Sequence, residues 1–119
     1  MSKFSDGLGR HIERDDVTLK ASGAQTADTN GATVELGDKA SMNLILDITA
    51  NSGTNETLDI DIEGSEDGAT WYLIDSFAQQ TGVATVRKAF LAARYVRYVS
   101  DIGGTDTPSF TYSVTGTAA

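Results

Sequence analysis

The chain of 119 residues contains no cysteine, a single histidine and a single proline. Without cysteine it has no disulfide and no thiolate nucleophile, which is typical of folding in a reducing compartment. His11 has no partner at the spacing of a catalytic triad or a metal site. No apolar run approaches the ~20 residues of a membrane-spanning helix. These absences argue against a disulfide scaffold and a helical membrane protein, and they leave little catalytic chemistry.

Charge and motifs narrow the function further. The N-terminus lacks the apolar core of a signal peptide, so we expect synthesis in the cytoplasm. Seventeen acidic and 9 basic residues give a net charge of −8, and phosphate backbones repel such a surface. Neither a glycine-rich phosphate loop nor a serine-nucleophile motif is present. We therefore predict a protein that is not an enzyme, with no cofactor, no bound metal, no nucleic-acid partner and no membrane.

What fills the chain is a succession of short β-forming runs closed by turn residues. In the clearest run, Leu58, Ile60 and Ile62 alternate with acids, which indicates a half-buried strand. Turn signals at this spacing are typical of an antiparallel sandwich or barrel. We predict an all-β fold over residues 17–119, an antiparallel β-sandwich (jelly-roll or Ig-like) of about eight strands. The predicted strands are Val17–Leu19, Ala32–Leu36, Met42–Thr49, Thr57–Glu63, Thr70–Phe77, Val83–Phe90, Arg94–Ser100 and Ser109–Thr115.

Two positions depart from this regular pattern. Ile45 interrupts the period-two alternation of its strand and indicates a second packing surface. The alanine-rich segment Lys88–Arg94 has the composition of a helical turn. We favour a strand followed by a short corner there, and the helical turn stays open as the alternative.

Residues 1–16 differ from the rest in being crowded with charge. Phe4, Leu8 and Ile12 are four residues apart and would share one helical face, but the glycines between them oppose a stable helix. We predict an N-terminal arm that is flexible alone and orders on a partner. Its predicted contact residues are Phe4, Leu8, Arg10, Ile12 and Arg14.

Asp59, Asp61 and Glu63 share one face of a predicted strand. Carboxylates at this spacing can hold a hard cation or act as a glycosidase pair. They also form solvated outer faces that oppose edge-to-edge aggregation. We favour the solvated face.

A second run interleaves basic and aromatic residues over Arg94, Tyr95, Arg97 and Tyr98. Such a pattern can bind single-stranded nucleic acid. The acidic total argues against this, so we predict cross-strand ion pairs with the acids of a neighbouring strand.

The segment Ser65–Trp71 resembles the Asp-box hairpin S-x-D-x-G-x-T-W, with one residue fewer between aspartate and glycine. This predicts that Asp67 binds loop amides, that Gly68 makes the turn and that Trp71 packs in the core. Stacking of Trp71 on a carbohydrate is the alternative.

Several runs together resemble small β-sandwich proteins from the structural gene clusters of tailed bacteriophages. They are Thr18–Ala24, Thr57–Tyr72, Ala93–Arg97 and Pro108–Gly116. The resemblance implies a virion structural protein, most like a capsid decoration (cement) protein that stabilises the outside of the head. It also implies the major capsid protein as partner, a homotrimer, and location on the capsid surface. A tail or head–tail connector component and a carbohydrate-binding module are the alternatives.

Overall fold

The computed structural model describes residues 2–5 and 11–119, with side chains from Arg14 onward. The chain is all-β and forms one curled antiparallel sheet. Its strands are β1 (Ser2–Ser5), β2 (His11–Gln25), β3 (Thr29–Asn30), β4 (Val34–Glu35), β5 (Ser41–Ser65), β6 (Tyr72–Ser76), β7 (Ala84–Leu91) and β8 (Tyr95–Ala118). Within these residues no helix is long and apolar enough to cross a membrane. The corner between β7 and β8 is a short turn, so the strand reading of this segment is confirmed and the helical turn is wrong.

Two very long strands, β5 and β8, run through the whole molecule. They pair from Met42 opposite Ala118 to Ser65 opposite Tyr95, with register shifts between Ile48 and Thr57. Each strand joins two of the strands predicted from the sequence, because the pairing continues through the turn-rich segments between them, with Thr54 opposite Thr105. Gly53 and Gly104 have φ of 115° and 120° in this region. Such angles favour glycine and allow both strands to bend together.

The bend divides the curled sheet into two halves, and both contribute side chains to the core. The first half-sheet consists of β7, residues 41–52 of β5, residues 109–118 of β8, and β2. The second half-sheet consists of β6, residues 57–65 of β5, residues 95–103 of β8, and β3 with β4. The rings of Tyr98 and Tyr112 lie on different halves of the same strand, yet their centroids are 6.5 Å apart. Phe77 and Phe90 make a second contact between the halves, at 5.1 Å.

The core follows from the period-two pattern of the sequence. Even-numbered apolar residues of β5, such as Leu46 and Ile60, are buried from both halves of the strand. A polar cluster borders these residues, since the Gln25 amide accepts from the Tyr112 hydroxyl and donates to the Tyr98 hydroxyl oxygen at 2.8 Å. Burial raises the pKa of Tyr112 to about 12, so its hydroxyl stays a donor.

The N-terminal segment forms a β-hairpin where it is described. In the pairing of β1 with β2, Ser2 lies opposite Arg14 and Ser5 opposite His11. The next residue, Asp15, pairs with Ala118 near the end of β8, so residues 11–14 extend past the end of that strand. The predicted boundary at residue 16 therefore falls inside β2, and the backbone here is extended and not helical. The side chains of Phe4, His11 and Ile12, and the whole of Leu8 and Arg10, lie outside the described residues.

Candidate functional site

The outer face of the second half-sheet is acidic. Asp59 of β5 lies directly opposite Asp101 of β8, and Asp61 is two residues further along β5. The charge of Asp28 is the largest cause that raises the pKa of Asp101, and burial and the charges of Asp59 and Asp61 add to it. Like charges in direct opposition destabilise a strand pair. This face therefore carries an unfavourable concentration of negative charge.

The carboxylates of this face have ordinary protein partners. Asp59 accepts two hydrogen bonds from Gln79 Nε2 at 3.0 and 3.2 Å, and Asp61 accepts one from Ser76 Oγ at 2.6 Å. Glu63 is turned toward Arg97, away from its two neighbours in the sequence pattern. Across the described part of the chain, no three His, Cys, Asp or Glu side chains converge as metal ligands would. The described geometry thus gives no support to a cation site at these three residues.

Arg97 links an acid to an aromatic ring on the same face. Its Nη2 and Nε atoms each lie 2.8 Å from Glu63 Oε1, as the cross-strand prediction requires. The guanidinium stands 4.3 Å from the centre of the Trp71 ring. Tyr98, in contrast, points into the core, so the interleaved basic and aromatic run divides between two faces.

Trp71 is half-buried and does not belong to the core, so the core position predicted for it is wrong. The ring lies just before β6, where the guanidinium of Arg97, on β8, covers it. A cation over an aromatic face is a favourable arrangement that does not need full burial. The sequence motif indicated a packed tryptophan. The residue that packs against it belongs to β8, and the local sequence around Trp71 contains no signal for that contact.

The turn before Trp71 is built on Asp67 and Ser65. Asp67 Oδ1 accepts from the amides of Ala69 and Thr70, at 2.9 and 2.8 Å, and from Ser65 Oγ at 2.9 Å. The amide bonds, that from Thr70 first, lower the pKa of Asp67 to about 2. Gly68 has φ of 75°, which a residue with a side chain rarely adopts. This network fixes the loop between β5 and β6.

A shallow groove opens beside this turn. It has a volume of about 250 Å³ and is lined by Glu66, Asp67, Thr70 and Tyr72. Tyr72 is 46% exposed, and its hydroxyl donates to Glu66 Oε1 at 3.1 Å. An exposed aromatic ring beside carboxylates is one arrangement that recognises sugars, because the ring stacks on C–H groups and the acids accept from hydroxyls.

The outer face of the first half-sheet has a different character. Thr115, Ile45 and Arg87 form one row across β8, β5 and β7. A groove of about 340 Å³ runs over this face, lined by Arg14, Asn43, Ile45, Arg87, Gly116 and Thr117. Ile45, the residue that breaks the sequence pattern, is half-buried here and faces outward. Arg14 is the member of the predicted arm set whose side chain the structure describes, and it lies at this groove.

The exposed apolar residues at the sheet edges were not predicted from the sequence. Leu73 of β6 is 60% exposed, and Val83 and Leu91 at the two ends of β7 are 65% and 74% exposed. A signal for the last two was present, because Val86 and Phe90 set the inward face of this strand and leave odd positions outside.

No protein-family model, curated protein or solved structure matches this chain. The resemblance to bacteriophage virion proteins therefore stays a prediction from the sequence. The geometry of the two outer faces, the edges and the N-terminal hairpin is the basis on which a function is proposed.

Proposed function

We propose that this protein is a capsid decoration protein, which binds the outside of a bacteriophage head and stabilises the shell. The observation that carries the proposal is the difference between its two outer faces. The second half-sheet presents Asp59, Asp61 and Asp101, whereas Asp16 and Asp47 offset Arg14 and Arg87 on the first. A protein that lies on a large assembly needs one face for the assembly and one for solvent. The near-neutral face is suited to the first purpose and the acidic face to the second.

The proposed fold type is a small β-sandwich of about eight strands, jelly-roll or Ig-like, in which the two half-sheets are the layers. The ring contacts of Tyr98 with Tyr112 and of Phe77 with Phe90 support it, since both cross between the half-sheets. Sheets that share strands through a bend are a known way to close such a core.

The N-terminal hairpin supports a docking function for the predicted arm. Residues 11–14 continue past the end of β8, so the hairpin reaches beyond the sheet. It begins beside the near-neutral face, where Arg14 lines the groove. We assign shell contacts to Phe4, Leu8, Arg10, Ile12 and Arg14. A strand pair that is already ordered loses less conformational entropy on binding than a free arm does.

The proposed partners are the major capsid protein and two further copies of this chain. Three subunits around one three-fold position of a shell would bind more tightly than one, because each bound subunit raises the effective concentration of the next. The protein would be made in the host cytoplasm and reside on the virion surface. A tail or head–tail connector component is the alternative location.

The experiment compares particles with and without this protein. Particles that lack it should assemble but lose DNA at lower temperature or after osmotic shock, because a ligand that binds only the intact shell stabilises that state. Deletion of residues 2–13 should leave a folded domain that no longer stays on particles, with Asp38→Asn as a control that does. Robust particles combined with failed tail assembly would overturn the head assignment and favour the tail alternative.

A carbohydrate-binding module is a second candidate, favoured by the partial exposure of Trp71 and Tyr72. A glycan array tests it directly. Tyr72→Ala should abolish a glycan signal that Leu73→Ala retains, since Tyr72 lines the groove beside Glu66. Absence of binding to any glycan at millimolar concentration would remove this candidate.

A further inference from the structure

Most edges of the sheet carry features that block the addition of another strand. β2 has register shifts between Thr18 and Gly23, which are bulges or irregularities. β3 and β4 have two residues each, and β6 has five with a shift in its pairing. Short and irregular edges are the usual protection of β-proteins against unwanted pairing.

The edge formed by β7 lacks these features. Its eight residues pair with β5 without a shift, from Ser41 opposite Leu91 to Ile48 opposite Ala84. In the part of the chain that the structure describes, no strand pairs with its other side. The strand contains no proline, and exposed Val83 and Leu91 lie at its two ends. A regular edge with unpaired N–H and C=O groups is a template for one more strand.

Concave surfaces lie on both sides of this edge. On the outer side is the groove of about 340 Å³ that contains Arg87 and Ile45. On the other side, between β7 and β6, is an apolar cleft of about 370 Å³ that contains Ile74, Phe90 and Leu91. Successive side chains of an added strand point to opposite faces. Such a strand would therefore place alternate side chains beside Arg87 and toward the apolar cleft.

The charged side chains of β7 favour some partner strands over others. Lys88 is engaged within the chain, with Nζ 2.6 Å from the Ser76 carbonyl oxygen and 3.2 Å from Asp75 Oδ2. Arg87 is exposed and has no ion pair among the described residues. β7 contains no acid, so a second copy paired antiparallel about a two-fold axis at the middle of the strand would set Arg87 opposite the Arg87 of the other copy. Such opposition of like charges is unfavourable, and it argues against self-pairing.

We propose that the free edge of β7 binds one extended segment of a partner protein in which acidic and apolar side chains alternate. The carboxylates lie beside Arg87 on the outer face, and the apolar side chains occupy the cleft formed with Ile74. Backbone hydrogen bonds to β7 give affinity, and the two concave surfaces give specificity. Only the identification of the partner as the shell protein rests on the proposed function. The binding of an acidic and apolar segment at the edge of β7 does not depend on it.

The test uses two labelled nine-residue peptides in which charged and apolar residues alternate. One alternates aspartate with valine, and the other alternates lysine with valine. Wild-type protein should bind the aspartate peptide about tenfold more tightly than the lysine peptide, in fluorescence polarisation at about 0.15 M salt, which screens the charge of the distant acidic face. Arg87→Glu should reverse this preference. The matched control Arg94→Glu makes the same charge change at an exposed residue outside β7, beside the Tyr95 ring, and it should retain the preference. Bound peptide should slow amide hydrogen exchange in residues 84–91.

An unchanged preference in Arg87→Glu, or slowed exchange confined to another strand, would overturn the proposal. Particle binding separates this proposal from the proposed function. If Arg87→Glu loses the peptide but stays on particles, the shell does not use this edge, and the assignment of the partner is overturned while decoration stands. If wild-type protein binds the peptide but is absent from phage heads, the proposed binding at the edge of β7 is retained and the proposed decoration function is overturned.

Discussion

Arg97 lies between an acid and an aromatic ring: its guanidinium is 4.3 Å from the centre of the Trp71 ring, and its Nη2 is 2.8 Å from Glu63 Oε1. Glu63 and Arg97 are direct cross-strand partners on β5 and β8. The tryptophan thus packs against a charged side chain at the rim of the sheet. This arrangement sets how much stability Trp71 contributes.

We expect Trp71→Ala to leave the domain folded. A half-buried ring over a cation contributes about 1–2 kcal/mol to the free energy of unfolding. Phe110→Ala is the contrasting variant, since Phe110 is fully buried and its truncation should cost about 3–5 kcal/mol. Urea denaturation measures both. Equal losses for the two variants would show that Trp71 is a core residue after all.

The pKa of Asp67 predicts a pH-dependent contribution from its turn. The pKa is about 2 in the folded chain and about 3.9 in an unfolded one, so the ionised carboxylate stabilises the fold. This contribution is complete above about pH 4 and is lost as the pH falls through about 2. Asp67→Asn should therefore lower the urea midpoint near pH 6 and approach wild type below about pH 2. A difference in urea midpoint between Asp67→Asn and wild type that stays constant with pH would contradict this assignment.

Asp101 should behave in the opposite way. The charges of Asp28, first, and of Asp59 and Asp61 raise its pKa, so folding favours the protonated form. The stability that protonation adds is present below the unfolded pKa of about 3.9 and is lost as the pH rises through the folded value. At neutral pH, Asp101→Asn should consequently raise the urea midpoint above that of wild type.

The gain from Asp101→Asn should shrink in about 1 M salt, which screens exposed charges, and should vanish at low pH. Asp38→Asn is the matched control, because it removes one exposed carboxylate away from this face. If both variants gain equally, the effect comes from net charge and not from the charges of Asp28, Asp59 and Asp61 around Asp101.

Local pattern predicted the core and one ion pair from the sequence. Leu58, Ile60 and Ile62 alternate with acids, and they are buried as the period requires. The pairing of Arg97 with an acid of the neighbouring strand was also predictable, because charges of opposite sign on outward positions find each other across strands.

What the sequence did not predict depends on contacts between distant segments. Residues 51–55 and 101–108 have the composition of loops, yet the pairing of β5 with β8 continues through both segments, with Thr54 opposite Thr105. The position of Trp71 depends in the same way on Arg97, a residue of another strand. Turn composition and motif spacing are local signals, and they contain no information on which distant segment lies opposite.

At Gly116 the backbones of β5 and β8 lie too close together to admit a side chain. A Cβ at this position would collide with the backbone carbonyl of Asn43, while one at Gly82 would meet nothing within 4 Å. We expect Gly116→Ala to lower the free energy of unfolding by about 3 kcal/mol, because the neighbouring backbone of β5 must move. Gly82→Ala is the matched control and should be neutral or slightly stabilising. Urea denaturation and amide hydrogen exchange of residues 42–46 measure the two effects. If Gly116→Ala is as stable as Gly82→Ala and leaves exchange in β5 unchanged, the close contact between these two strands is wrong.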